Sequence, residues 1–279
     1  MRLLFCLVIA LLAAVSARPA LALVDTFIEV KLDRQKDGQP VFQRAILSTP
    51  DGRTPETVLL FFRGGHGVAM LQRIEDRRVN TALWFGPNIA MFMEANIATA
   101  IVGCPTDEWG PVEGNKASSC YDTYRASERH ANDVRAIIDH LKSNHGIKNV
   151  FILGHSKGSL SSRWLAVNLG NEIAGSIHSA SMSQPDPHGN GRTLYTLPYE
   201  KITAPAIWLH HERDACETTK YSDAVRRSGG RLITVRGGKP TGEPCSNHYH
   251  GYDGRGREAV RAVIEWIQTG KAEKFAGEP

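Results

Sequence analysis

The chain is predicted to be α/β, a three-layer sandwich in which helices cover both faces of a mostly parallel central sheet. Three observations carry this. Strand-like and helix-like segments alternate along most of the sequence. The run "ETVLLFF" is a continuous apolar, β-branched stretch of the kind found in a strand buried on both faces. The 279 residues, 42% of them hydrophobic, are enough to bury a substantial core in one large domain.

The first segment, "MRLLFCLVIALLAAVSARPALA", has one early positive charge, a short apolar run and a small-x-small ending, Ala20-Leu21-Ala22. This is the pattern of a cleaved export leader, with residues 1–22 removed and 23–279 forming the mature domain. Ser16, Arg18 and Pro19 break the apolar run too early for a membrane span, and nothing later is apolar for long enough. The expectation is an exported protein, periplasmic or secreted, with no stable membrane insertion after leader removal.

"TFIEVKLD" and "PVFQRAILST", separated by the Asp-Gly cluster "RQKDGQ", read as a hairpin. "ETVLLFF" is the first buried parallel strand and stops abruptly at "RGGHG". A helix over 88–96 and the strand "IATAIVG" follow. "ASERHANDVRAIIDHLKSNHG" is a strong helix, with Val134, Ile137, Ile138 and Leu141 on one face, Ser127 as its cap and Gly146 as its stop. Downstream come the strand "NVFIL", a helix after 157, the strands "AGSIHSA" and "PAIWLHH", a helix near 217–227, the strand "RLITV" and a final helix in "GREAVRAVIEWIQTG". The irregular stretches 104–126 and 181–204 follow predicted strand ends, where such sheets build their binding crevice, and are expected to form substrate walls.

The formal charge is +4 and falls to +2 when the leader takes Arg2 and Arg18, two of 33 basic residues against 29 acidic ones. The basic residues are scattered, so nucleic acid is not an expected partner. Without the leader four cysteines remain, Cys104, Cys120, Cys216 and Cys245, none in C-x-x-C spacing. In an exported chain they point to disulfides. Proximity pairs 104 with 120 and 216 with 245, and the sequence leaves the other two pairings open.

Gly154-His155-Ser156-Lys157-Gly158 matches G-x-S-x-G between a predicted strand and a predicted helix. So sharp a turn needs small flanking residues and lifts the serine clear of the sheet, above a helix N-terminus that favours developing negative charge. A serine hydroxyl attacks only when a histidine takes its proton, and that histidine needs a carboxylate to orient it. On a strand-to-helix elbow the expected order is Ser, acid, His. Asp214 in "HHERDAC" is the expected acid, with Glu212 as a less favoured substitute nearer the strand end. His250 in "CSNHYHGYDG" is the expected base, with His248 as its rival. Oxyanion donors are expected from the Lys157 amide and from Gly65 or His66 in "RGGHG". A Cys216–Cys245 bridge would tie the acid loop to the histidine loop.

These segments together resemble the α/β-hydrolase superfamily, and within it the exported, dienelactone-hydrolase-like serine hydrolases. The matching segments are "LLFFRGGHG", "ATAIVGCPTDEWG", "LGHSKGS", "HHERDAC" and "CSNHYHGYDG". The resemblance implies hydrolysis of a small-molecule ester, or less readily an amide, through an acyl-enzyme and with no cofactor. Lys157 after the nucleophile departs from the pattern; its charge would favour an anionic substrate or point to solvent. A metal site built from His248, His250 and Asp253 with His210 or His211 is disfavoured, because "HHERDA" has alanine where H-E-x-x-H needs its second histidine. No nucleotide-binding loop is present either.

Overall fold

A computed structural model describes residues 22–65, 70–76, 84–113, 116–184, 195, 199–246 and 248–278. Residues 1–21 of the expected leader, and His66, lie outside the described residues. In chain order the elements are β1 (Leu23–Lys36), β2 (Gln39–Pro50), β3 (Thr57–Phe62), α1 (Ile89–Glu94), β4 (Ile97–Val102), β5 (Trp109–Glu113), β6 (Lys116–Ser119), α2 (Asp122–Arg125), α3 (Glu128–His145), β7 (Asn149–His155), α4 (Gly158–Leu169), β8 (Gly175–Ser179), β9 (Ala206–His211), α5 (Tyr221–Arg227), β10 (Leu232–Val235), α6 (Gly256–Thr269) and β11 (Phe275–Ala276). Nine strands form one sheet in the order β1-β2-β4-β3-β7-β8-β9-β10-β11.

From β4 across to β11 the neighbours are parallel; β1–β2 and β2–β4 are antiparallel. The hairpin turns on Asp37 and Gly38, both at positive φ (52° and 75°), which matches the twist of the flanking strands. It then lays β2 against β4 and extends the parallel sheet at one edge.

Period-two alternation in β3 shows why the sheet is covered on both sides. Val58, Leu60 and Phe62 enter a core shared with α3 and α4. Leu59 and Phe61 enter a second core with α1 and α6. On α3, Val134, Ile137, Ile138 and Leu141 are buried against the first core. The Ser127 hydroxyl accepts the His130 amide at 3.1 Å, and Gly146 ends the helix in the left-handed conformation at φ 66°. No helix among the described residues is long and apolar enough to cross a membrane.

Two details depart from expectation. The stretch 104–126 is not wholly irregular: it contains the two-stranded β5/β6 sheet and the short helix α2. The helix expected near 217–227 starts only at Tyr221, because the chain before it turns to bring Thr219 onto Asp214. The stretch 181–204 lies largely outside the described residues.

Candidate active site

β7 delivers the chain to Ser156, which holds a positive φ of 54° before α4 begins at Gly158. A non-glycine residue in this region is strained and persists only where its surroundings fix it. Here the Ser156 amide donates to the Ser179 carbonyl at 3.0 Å, and the Ser156 carbonyl accepts the Ser159 amide at 2.9 Å. The flanking glycines are required by close approach. A Cβ on Gly154 would overlap the Gly158 carbonyl, and one on Gly158 would overlap the Phe62 carbonyl at the end of β3. Gly64 is as tightly placed: its Cβ would come within 2.6 Å of the Ser156 Cβ. The loop after β3 therefore lies directly against the elbow.

Asp214 stands just beyond the end of β9, its side chain fully shielded from solvent. Oδ2 lies 3.0 Å from His250 Nδ1, 3.1 Å from His210 Nε2 and 2.9 Å from the Thr219 hydroxyl, which donates to it. Oδ1 accepts the Cys216 amide at 3.0 Å. Burial by itself would raise this carboxyl; hydrogen bonds from His210 and His250, with the field of both rings, outweigh it and hold the group well below the usual carboxylate range. Glu212 instead pairs with Arg236 at 3.1 Å.

His250 is 1% exposed and sits in a single 3₁₀ turn, Tyr249–Gly251. Its Nε2 has no hydrogen-bond partner, so the nitrogen opposite the carboxylate is uncommitted. The ring lies 5.1 Å, centroid to centroid, from His155, the residue before Ser156. Thus the structure brings Asp214, His250 and the elbow together. His248, partly exposed, packs edge-on to Tyr249, and among the described residues it is His250 and not His248 that pairs with Asp214.

The surroundings explain how the histidine loop is held. Tyr252, two residues past His250, is buried and donates its hydroxyl to the Leu209 carbonyl at 2.7 Å, while the Ala180 amide donates to that hydroxyl at 3.2 Å. Its ring meets Trp84 edge-on at 5.1 Å. The Trp84 indole in turn donates to His155 Nδ1 at 3.2 Å, and burial pushes His155 well below its ordinary value, so its ring is neutral. Cys216 is disulfide-bonded to Cys245, linking the acid loop to the segment that carries the histidine. Cys104 is bonded to Cys120.

At the expected oxyanion positions, the Lys157 amide opens α4 and Gly65 is exposed at φ 69°. The Lys157 ammonium lies 3.3 Å from Asp122 Oδ1 on α2, an ion pair rather than a hydrogen bond. Asp122 Oδ2 accepts a short hydrogen bond from the buried Tyr195 hydroxyl. The residues that sequence reasoning does not assign to the site are Thr219, His155, Tyr195 and Asp122, along with His210, which the sequence offers only as a metal ligand. The one local signal was His210, four positions before the acid on the same strand end.

The serine aminopeptidase S33 family model matches residues 122–230, a span that includes the elbow and Asp214 but not His250. No curated protein sequence matches the chain. Among solved structures, Est1E from Butyrivibrio proteoclasticus with ferulic acid bound is similar, with 17% identity, TM-score 0.53, and coverage of 83% of this chain and 96% of that one. A predicted CIB-like hydrolase from Thermoplasma acidophilum is 19% identical at TM-score 0.51, covering 89% and 99%. S-formylglutathione hydrolase (FrmB) from Staphylococcus aureus is 11% identical at TM-score 0.51, covering 88% and 96%. Its parallel sheet, its strand-to-helix elbow at Ser156 and these neighbours show that the chain has the α/β-hydrolase fold.

Proposed function

We propose that the protein is a serine hydrolase that cleaves carboxylic esters through an acyl-enzyme on Ser156. One observation carries this most: His250 Nδ1 pairs with the shielded Asp214 carboxylate at 3.0 Å while its ring packs beside an elbow that holds Ser156 at φ 54°. Ser156 Oγ attacks the ester carbonyl as His250 Nε2 takes its proton, and Asp214 stabilises the resulting imidazolium. The oxyanion is met by the Lys157 amide and by an amide of Gly65 or His66, each such donor being worth about 3 kcal/mol of barrier. Collapse expels the alcohol, protonated by His250. Water, deprotonated by the same histidine, then attacks the acyl carbon, and Ser156 Oγ leaves as a hydroxyl.

Residues 1–22 act in this reading as an export leader and 23–279 as the hydrolase domain, of the dienelactone-hydrolase-like kind. The two disulfides support an oxidising compartment. N-terminal mass analysis of the exported protein, expected to begin at Leu23, tests that part.

The activity is tested with a fluorophosphonate probe and with an ester paired to its matched amide. Wild type should label once, on Ser156, and prefer the ester; Ser156→Ala should lose labelling while keeping its fold. A second reading, a peptidase, is favoured by the description of the family model matching 122–230, and amide turnover at or above the ester rate would select it. Folded, oxidised protein that never labels would leave a ligand-binding role.

A further inference from the structure

Arg163 lies on α4, two turns beyond Ser156, on the sheet face that packs against α3 and α4 rather than α1 and α6. It is 3% exposed. Nε donates to the Ser159 carbonyl at 3.2 Å and Nη1 to the Tyr195 carbonyl at 3.2 Å, but Nη2 has no partner. Arg227, at the end of α5, donates through Nη1 to the same Tyr195 carbonyl at 2.6 Å. Two guanidiniums therefore converge on one neutral oxygen.

No carboxylate among the described residues is ion-paired with Arg163. Asp223, on the far wall, is taken by the Ser183 hydroxyl at 2.5 Å and by Arg226, and its field reaches Arg227. Burial pushes the Arg163 guanidinium down to about 9, and the like charge of Arg227 adds to this, yet it remains a cation at neutral pH. A buried, uncompensated charge costs several kcal/mol, so a counter-charge that reaches it is strongly favoured.

Arg163, Arg227, Ser181, Met182, Trp208 and Asp223 border a recess of about 10 Å³. That is room for roughly one water-sized particle. We infer that this recess behind the nucleophile helix is a binding site for a single halide ion, held between Arg163 Nη2 and the Arg227 guanidinium. The recess is too small for phosphate or an organic acid, and Asp223 on its wall opposes a second negative charge. A water there would satisfy Nη2 without neutralising the guanidinium. The ion would also steady Tyr195, whose carbonyl both arginines hold and whose hydroxyl reaches Asp122, the partner of Lys157.

The test uses bromide as the probe on the full chain. Thermal unfolding is titrated with sodium bromide against sodium gluconate at matched ionic strength, in wild type and in Arg227→Gln. Arg227 is only partly buried, so this variant should fold even if Arg163→Met does not. Bromide should raise the wild-type melting temperature beyond gluconate, with an apparent affinity at least ten-fold weaker in Arg227→Gln. Crystals grown in bromide should show an anomalous peak within hydrogen-bond reach of Arg163 Nη2. Equal bromide dependence in the two proteins, a water only at that position, or a peak without a bromide-specific shift, which marks an adventitious ion only, would each overturn the inference.

Discussion

His210 and His250 share one oxygen of Asp214, with His210 Nε2 at 3.1 Å and His250 Nδ1 at 3.0 Å from Oδ2. His210 Nε2 also lies 2.8 Å from the Thr219 carbonyl, an acceptor only, so this nitrogen carries the proton and divides it between carbonyl and carboxylate. The Asp214 carboxylate is thus held from its own strand as well as from the histidine loop.

Asp214 gives the fold an acid-sensitive component. Its folded value lies below the ordinary carboxylate value of about 3.9, so ionised Asp214 contributes stability that is present above that pH and is lost as pH falls through the folded value. Urea unfolding at pH 7, 5, 4 and 3 should show wild type losing stability below about pH 5 more steeply than Asp214→Asn. Parallel pH profiles would show that the carboxylate gains nothing from its two histidines.

Replacing the two candidate bases should separate them. His250→Ala is expected to lower kcat by about 10³-fold or more, since it removes the proton acceptor and leaves only binding and the oxyanion donors. His248→Ala should change kcat only a few-fold. Steady-state kinetics on one ester decide the ranking, and the reverse order would make His248 the base.

The Cys216–Cys245 bridge closes a segment with a sequence separation of 29. The chain-entropy model gives it about 3 to 4 kcal/mol of stability. Mutating both cysteines to serine should cost about that much in urea unfolding and should also lower kcat below the pH-7 wild-type value at temperatures where the variant remains folded. A stability loss with unchanged kcat would mean that the bridge does not register the acid with the histidine.

Gly158→Ala should be far more damaging than an ordinary helix substitution. The new Cβ would overlap the Phe62 carbonyl and sit 2.9 Å from that of Arg63, and backbone atoms of β3 and its loop cannot move aside cheaply. A loss of about 3 kcal/mol in urea unfolding is expected, together with reduced fluorophosphonate labelling, because the loop that faces Ser156 would be displaced. A variant as stable as wild type would show that the elbow has slack.

Much of this molecule was legible without coordinates because local periodicity carries it. The apolar run in β3 and the spacing of Val134, Ile137, Ile138 and Leu141 on α3 state their own burial, and Ser127 and Gly146 mark the helix ends. The β5/β6 sheet was missed because its residues are short, mixed in polarity and follow a strand end, with no run long enough to establish a period of two. At the site, Gly154-His155-Ser156-Lys157-Gly158 was readable because the close approach at its ends excludes any side chain.

Pairings across the fold were not readable, since they depend on which chain ends the sheet order brings side by side. The sequence by itself determined the alternation of the main strands and helices, the elbow, and a short menu of acids and bases. Only the tertiary structure decided that Asp214 rather than Glu212 meets histidines, that these are His210 and, from the histidine loop, His250 rather than His248, and that Lys157 lies against Asp122. The physical reason is range: hydrophobic period and steric exclusion act within a few residues, whereas a carboxylate finds its partner through the packing of the whole sheet.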